Sequence, residues 1–195
     1  MEYEFTLKFA VPRSEWDADV LVERLGAVGC NDALVGIGLP GRLALDFTRE
    51  STSAERAIVS AIKDVKDAIP SASLVEVGPD VVGLSDVADL LGVSRQNIRK
   101  LAFKHEDFPL PIHAGTTVLW RLFEVIDWYG ATRSSSIDQR LKEVSGVAMQ
   151  LNSLAKPVKV SKQVERELTD FRLVPTARAK RGTAVKKVPE GVRSW

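Results

Sequence analysis

The chain has 195 residues, of which 45% are hydrophobic and 27% are charged, and its net charge is +1. These values are typical of a folded, water-soluble protein with one good core or two small domains. Its apolar runs are too short to cross a bilayer, its first residues lack the pattern of a signal peptide, and its single cysteine excludes an internal disulfide and a multi-cysteine zinc site. We therefore expect a cytoplasmic protein without a membrane partner.

The charges are distributed unevenly along the chain. Residues 1–80 carry 8 basic and 14 acidic side chains (−6), residues 81–130 carry 5 and 6 (−1), and residues 131–195 carry 14 and 6 (+8). An acidic head and a basic tail indicate separate roles. The tail suits a polyanion such as nucleic acid, and a solvated disordered tail is the alternative.

The first 80 residues alternate between strand and helix patterns. The strand patterns are YEFTLKFAV, ALVGIG, RLALDFTRE and ASLVEV, and the helix patterns are DADVLVERLGAVG and STSAERAIVSAIKDVKDAIP. Asp17 or Asp19 can cap the first helix, and Ser53 can cap the second. The apolar face that we expect for the first helix consists of Val20, Leu21, Leu25 and Val28.

The order β-α-β-β-α-β predicts an α+β fold in which residues 1–80 form a ferredoxin-like domain. That fold serves many functions, so it does not define this one. Dimerisation, a protein partner and a small ligand are all compatible with it.

Residues 84–101 read LSDVADLLGVSRQNIRKL, which predicts a helix-turn-helix. Ser85 is expected to cap the first helix, Gly92 to supply the positive φ of the turn, and Ser94 to cap the second helix. The apolar positions that would hold the two helices together are Val87, Leu91, Val93, Ile98 and Leu101.

The second helix, at 95–104, has a polar outward face that is not needed for the core. Arg95 and Arg99 can bond guanine with two hydrogen bonds, and Gln96 and Asn97 suit adenine. Arg99, Lys100 and Lys104 can also neutralise phosphates. This face predicts contact with double-stranded DNA, and its alternative is an ordinary solvated helix face.

The following stretch, FPLPIHAGTTVLWRLFEVIDWYG, predicts a small hairpin around Ala114 and Gly115 and then a helix. An extended entry at Phe108–Pro109 precedes the hairpin, because proline excludes helix there. A hairpin that follows a recognition helix is a wing, here at 112–121.

Together, residues 82–130 resemble the winged helix-turn-helix of excisionase-like and AlpA-like DNA-binding proteins, a branch of the MerR-like superfamily. The carrying features are the helix-turn-helix, the FP.P entry, the glycine hairpin, the Trp-Arg step and the final helix. The resemblance implies transcription regulation or a recombination role, with the second helix in the major groove. Trp120 is expected to pack beneath the wing rather than to touch DNA, because its neighbours are apolar. The residues expected to contact DNA are Ser94, Arg95, Gln96, Asn97, Arg99, Lys100, Lys104, His113, Thr116, Thr117 and Arg121.

The region after the wing is expected to be a helical extension over 131–173 and an unstructured basic tail over 174–195. Ser161 is placed to start a short helix within the extension. A longer helix is predicted before it, over SSSIDQRLKEVSGVAMQLNSLA, and its apolar seam suits either self-association or packing on its own domain. That seam consists of Ile137, Leu141, Val144, Ala148, Leu151 and Ala155.

We expect a homodimer, formed through the helix that carries this seam or through the N-terminal sheet.

Other function classes have weaker support in the residues. His105 and His113 lack metal-ligand spacing, and Cys30 fits a buried structural thiol, so we expect no enzyme, no metal and no cofactor. A protein-interaction or antitoxin-like adaptor is the main alternative, with a partner on the winged domain or the N-terminal domain. RNA binding would need exposed sheet aromatics, whereas the alternation of Phe5, Phe9 and Phe47 suits a core.

Overall fold

The computed structural model describes residues 1–133 and 137–155, together with Ser161 and Val164. Within these residues the strands are β1 (Glu2–Ala10), β2 (Ala33–Ile37), β3 (Arg42–Glu50), β4 (Ser73–Gly78), β5 (Val81–Val82), β6 (His113–Ala114) and β7 (Val118–Arg121). The helices are α1 (Ala18–Ala27), α2 (Ala54–Ala68), α3 (Leu84–Leu90), α4 (Arg95–Lys104), α5 (Leu122–Arg133) and α6 (Gln139–Ala155). The architecture is mixed α+β with antiparallel sheets, as the sequence predicts.

Met1–Pro157 forms one compact unit, and Val158–Trp195 is a second one. In the second unit, the backbone N of Val164 donates to Ser161 Oγ at 3.3 Å, which is the geometry of a helix N-cap at the predicted position. The remainder of that predicted helix and the basic tail lie outside the described residues.

The first sheet has the strand order β2-β3-β1-β4, and every neighbouring pair is antiparallel. Its side chains alternate between a buried and an exposed face, because successive residues of a strand point to opposite sides. Phe5 and Phe47 stack on each other on the buried face, with ring centroids 5.2 Å apart. Glu4 and Lys8 lie on the other face, which is exposed. The sheet aromatics are therefore core residues and offer no stacking platform for RNA.

Helices α1 and α2 begin where the sequence predicts. Asp17 accepts from the backbone N of Asp19 and Val20, and Ser53 accepts from Arg56. The predicted apolar face of α1 is only half correct, because Leu21 and Leu25 are buried while two valines remain 38% and 40% exposed. These are Val20, which lies about 100° around the helix from Leu21, and Val28, which follows the last helical residue.

Helix α6 carries the chain back to the first sheet. Tyr3 on β1 donates its hydroxyl hydrogen to Glu143 Oε2 at 3.0 Å. The Asn152 side-chain amide accepts from the Val77 backbone N and donates to the Val77 carbonyl, both at 2.8 Å, so it pairs with the edge of β4 as a neighbouring strand would. Of the two roles open for the apolar seam, the structure shows packing within the chain. Its members pack into the first core (Val144, Ala148 and Leu151) or the second (Ile137 and Leu141).

Gly146 allows α6 to lie close against α5. A Cβ at this position would be 3.1 Å from Cδ2 of Phe123, which is tighter than most Cβ contacts, so the ring would have to shift by a few tenths of an ångström. The glycine at this position of α6 therefore has a packing reason.

The second sheet has the order β5-β7-β6 and is antiparallel throughout. Strands β6 and β7 form the predicted hairpin, whereas β5, a two-residue strand, was not anticipated. The second core lies between this sheet and helices α3, α4 and α5. Its largest buried members are Ile98, Leu101, Phe108, Trp120, Leu122 and Ile126.

Within the ranges described above, no helix combines the length and the apolar character needed to cross a membrane.

Candidate nucleic-acid interface

Helix α3 begins earlier than the sequence predicts. Its N-cap is Gly83, and Asp86 Oδ2 accepts from the Gly83 backbone N at 2.7 Å. Ser85 lies inside the first turn, so its prediction as the cap is wrong. The carboxylate of Asp86 reaches back to the unpaired N–H at the helix start, which moves the start of the helix toward Gly83.

The turn between α3 and α4 matches the predicted chemistry. Gly92 has φ +64°, the left-handed region that glycine adopts without a Cβ clash. Ser94 Oγ then accepts from the Asn97 backbone N at 3.2 Å and caps α4. Val87, Ile98 and Leu101 are buried between the two helices. The turn and these contacts set the angle at which α4 leaves the core.

We predict that Gly92→Ala lowers the free energy of unfolding by about 1–2 kcal/mol, because an alanine there is forced into the left-handed region. No heavy atom lies within 4 Å of the added Cβ, so backbone strain accounts for the whole loss. Urea unfolding measures it. Gly26→Ala in α1 is the matched control, since its Cβ also meets open space without a positive φ. That variant should gain up to about 1 kcal/mol, and equal effects of the two substitutions would contradict the prediction.

The outward face of α4 concentrates positive charge. Arg95, Arg99, Lys100 and Lys104 are all exposed, and the helix contains no carboxylate. In the part of the chain that the structure describes, none of these four side chains forms an ion pair. Gln96 is exposed and Asn97 is half-buried on the same helix. Ser94 remains exposed, although its hydroxyl is engaged in capping.

A groove of about 1060 Å³ runs between α4 and the chain that leads into the hairpin. One wall contains Arg95, Gln96 and Arg99, and the other contains Pro109, Leu110 and Thr116. Sequence reasoning missed three exposed apolar side chains in this region. Phe103 is 80% exposed, Leu110 83% and Ile112 49%. The signal for Phe103 was its position one helical turn beyond Arg99, among residues already assigned to the outward face.

The hairpin presents His113, Thr116 and Thr117 to solvent. Thr116 lines the same groove as α4, so the structure brings the tip of the hairpin and the polar face of the helix to one side of the second core. Trp120 is 6% exposed and donates from Nε1 to the Pro109 carbonyl at 3.1 Å. The prediction that Trp120 packs beneath the hairpin is confirmed.

Arg121 differs from the other predicted hairpin residues. Its Nη1 forms an ion pair with Oδ2 of Asp80, whose carboxylate is 2% exposed. The same Oδ2 accepts from Asn152 Nδ2 at 2.7 Å. The guanidinium therefore already pairs with a buried carboxylate while its side chain remains 23% exposed, and its contact with DNA stays a prediction. A buried carboxylate is stable only when it is paired or hydrogen-bonded, and folding brings Arg121 and Asn152 to Asp80 for this purpose.

The opposite charge collects elsewhere on the molecule. A cleft of about 610 Å³ lies along the exposed face of the first sheet and the side of α3. Its carboxylates include Glu4, Asp46, Glu76, Asp86 and Asp89. Lys8 bonds to Glu76 at 3.1 Å, and Thr6 donates to Asp46 at 2.6 Å. This cleft shares no residue with the groove beside α4.

Cys30 is buried, and burial raises the pKa of its thiol, with the Asp64 carboxylate adding to the rise. The thiol is therefore neutral at pH 7. His105 Nδ1 lies 3.9 Å from Asp107, and its ring meets Trp128 edge to face. Among the residues whose placement is described, no three His, Cys, Asp or Glu side chains are grouped so that they could hold a metal ion.

The comparisons with known proteins add no relative. The chain matches no protein-family model, no curated protein and no solved structure.

Proposed function

We propose that this chain is a sequence-specific double-stranded DNA-binding protein, a transcription regulator, that reads the major groove with α4. The observation that carries the proposal is the exposed face of α4. This face has four cations without ion-pair partners in the described part of the chain, together with Gln96. Helix α4 follows the short helix α3 and the turn at Gly92, which set its angle. Arginine and glutamine are the side chains whose geometry fits guanine and adenine edges in that groove.

The order of elements supports a winged helix-turn-helix. A strand, two helices, a hairpin and a third helix follow one another over β5-α3-α4-β6-β7-α5. In such a domain the second helix enters the major groove, and the hairpin lies beside it. His113, Thr116 and Thr117 would then contact the neighbouring backbone. Likewise, the strand order β2-β3-β1-β4, with α1 and α2 over one face of the sheet, supports a ferredoxin-like body that consists of these four strands and two helices.

The charge distribution supports one orientation on DNA. Phosphates attract the face of α4 and are repelled by the acidic cleft along the first sheet. The body is therefore directed away from the duplex. One such domain reads few base pairs, so we propose a homodimer on a paired site. Five members of the apolar seam of α6 pack within the chain, which favours the first sheet over this helix as the dimer surface.

We predict that Arg99→Ala weakens binding to the selected site by about 1–3 kcal/mol and relaxes the base preference at one position. Lys100→Ala, a neighbouring exposed cation, is the matched comparison. It should weaken binding to all sequences alike and reduce the salt slope by about one phosphate contact. Titration of both variants against the selected site and a scrambled site, at several salt concentrations, separates these two roles. Uniform weakening by Arg99→Ala would make Arg99 a phosphate contact.

The experiment that tests the proposal is selection of genomic fragments by the full-length protein at about physiological salt, where non-specific binding is weakened. We expect enrichment of one short inverted repeat, whose half-site spacing reports the dimer geometry. Binding without an enriched sequence, or no binding, would overturn the assignment as a sequence-specific regulator.

A protein partner is the second candidate, because of the exposed apolar side chains beside α4. Phe103, Leu110 and Ile112 are of the kind that anchors a protein interface. An adaptor of this kind would bind its partner in the α4 groove without DNA. Failure of Arg99→Ala and Lys100→Ala to change DNA retention would favour this function.

A further inference from the structure

We infer that Phe103 is a specificity-determining residue that recognises the C5-methyl group of a thymine beside the base contacted by Arg99. This inference rests on the proposed DNA-binding function and names what one side chain reads. The position of Phe103 on α4, its exposure and its contact with Arg99 carry the argument.

Phe103 lies within the polar face of α4. At about 100° per residue, its direction falls between those of Arg99 and Gln96, while Ile98 and Leu101 point to the core. The ring is 80% exposed. A helix that enters the major groove with Arg99 and Gln96 toward the bases therefore brings the Phe103 ring toward the bases as well.

The major groove offers one apolar group to such a ring. Among the four unmodified bases only thymine carries a C5-methyl group there, and phenylalanine is a suitable partner for it. A polar base edge would instead lose its water to a ring that cannot form hydrogen bonds. The chemistry of the side chain therefore selects thymine.

The contact with Arg99 relates this thymine to a second base. The Arg99 guanidinium carbon lies 5.7 Å from the centre of the Phe103 ring, on its face. That contact limits the directions available to both side chains. The two residues are one turn apart, about 6 Å along the helix axis, which corresponds to roughly two base pairs. We therefore expect a guanine and a thymine within about two base pairs of each other in the selected half-site.

The test uses the full-length protein and a site selected from a random library of the four unmodified nucleotides, in which thymine is the only source of the methyl group. Each thymine of the selected site is then replaced by uracil, which removes the methyl group and keeps the base pair. We expect one replacement near the guanine to raise Kd by about fourfold, the factor for burying one methyl-sized group. All other replacements should have smaller effects.

Phe103→Ala should bind the thymine and uracil sites equally, and Phe103→Leu should retain part of the preference. Leu154→Ala, which truncates a side chain of similar exposure (74%) near the end of α6, should keep the full fourfold ratio. Phe103 is exposed, so its variants are expected to fold, and thermal melting checks this.

A uracil effect that persists in Phe103→Ala, or the absence of any uracil effect, would overturn the inference while leaving DNA binding in place. Unchanged DNA affinity in Phe103→Ala would also overturn it. Failure of the native chain to select any sequence would overturn the proposed function and this inference together.

Discussion

Arg121→Met is expected to lower the free energy of unfolding by about 3–5 kcal/mol, because it removes the cationic partner of a buried carboxylate. Asp80 is 2% exposed, its Oδ2 bonds to Arg121 and Asn152, and its Oδ1 has no hydrogen-bond partner within the described structure. With methionine at position 121, only the Asn152 amide would remain for the carboxylate. Urea unfolding followed by far-UV circular dichroism measures the loss.

Two further variants separate this effect from a general loss of surface charge. Lys142→Met removes a more solvated ion pair with Asp127, in which the two side chains are 34% and 60% exposed, and it should cost less than about 1 kcal/mol. Arg121→Met combined with Asp80→Asn should recover at least half of the loss, since no charge is then left buried. If Arg121→Met costs no more than Lys142→Met, the buried pair does not hold the hairpin strand to the body.

Ala148→Glu is expected to cost more than about 4 kcal/mol, because the α6 side chain at this position is fully buried in the first core, where a carboxylate would lose its hydration. Gln150→Glu, an exposed site on the same helix, should change stability by less than about 0.5 kcal/mol. Thermal and urea unfolding of dilute protein give both values.

A milder variant covers the case in which Ala148→Glu does not fold at all. Ala148→Val should cost about 1–3 kcal/mol through overpacking. If α6 served self-association through this face instead, either substitution would change the mass measured by light scattering and leave the stability of dilute protein unaltered. That result would contradict the packing described for α6.

Local features were predictable from the sequence because they depend on neighbouring residues. The alternation in β1, the caps at Asp17, Ser53 and Ser94, and the left-handed turn at Gly92 all follow from chemistry within a few positions. The polar face of α4 was predictable for the same reason, since helical spacing alone brings its residues together.

The features that sequence reasoning missed depend on contacts between distant parts of the chain. The Asp80–Arg121 pair joins residues 41 positions apart, and the Asn152 contact with Val77 spans 75. No local pattern marks an arginine for a buried partner, so Arg121 was indistinguishable from a free cation. The packing partner of α6 could not be predicted for a similar reason, because an apolar seam shows that a helix face is covered and does not show what covers it.

The return of α6 to the first sheet also has a consequence for biosynthesis. Tyr3 and Glu143 bond across 140 positions, so β1 is synthesised long before its partner on α6. At about 5–20 residues per second, roughly 3–14 s separate the synthesis of Asp80 from that of Ala148. During that interval the residues of the second core are synthesised, while the apolar face later covered by α6 is open to solvent. A message truncated before Ala148 would therefore yield a chain that retains α4 but exposes the part of the first core that α6 covers, and we expect that chain to aggregate rather than to act as a smaller working protein.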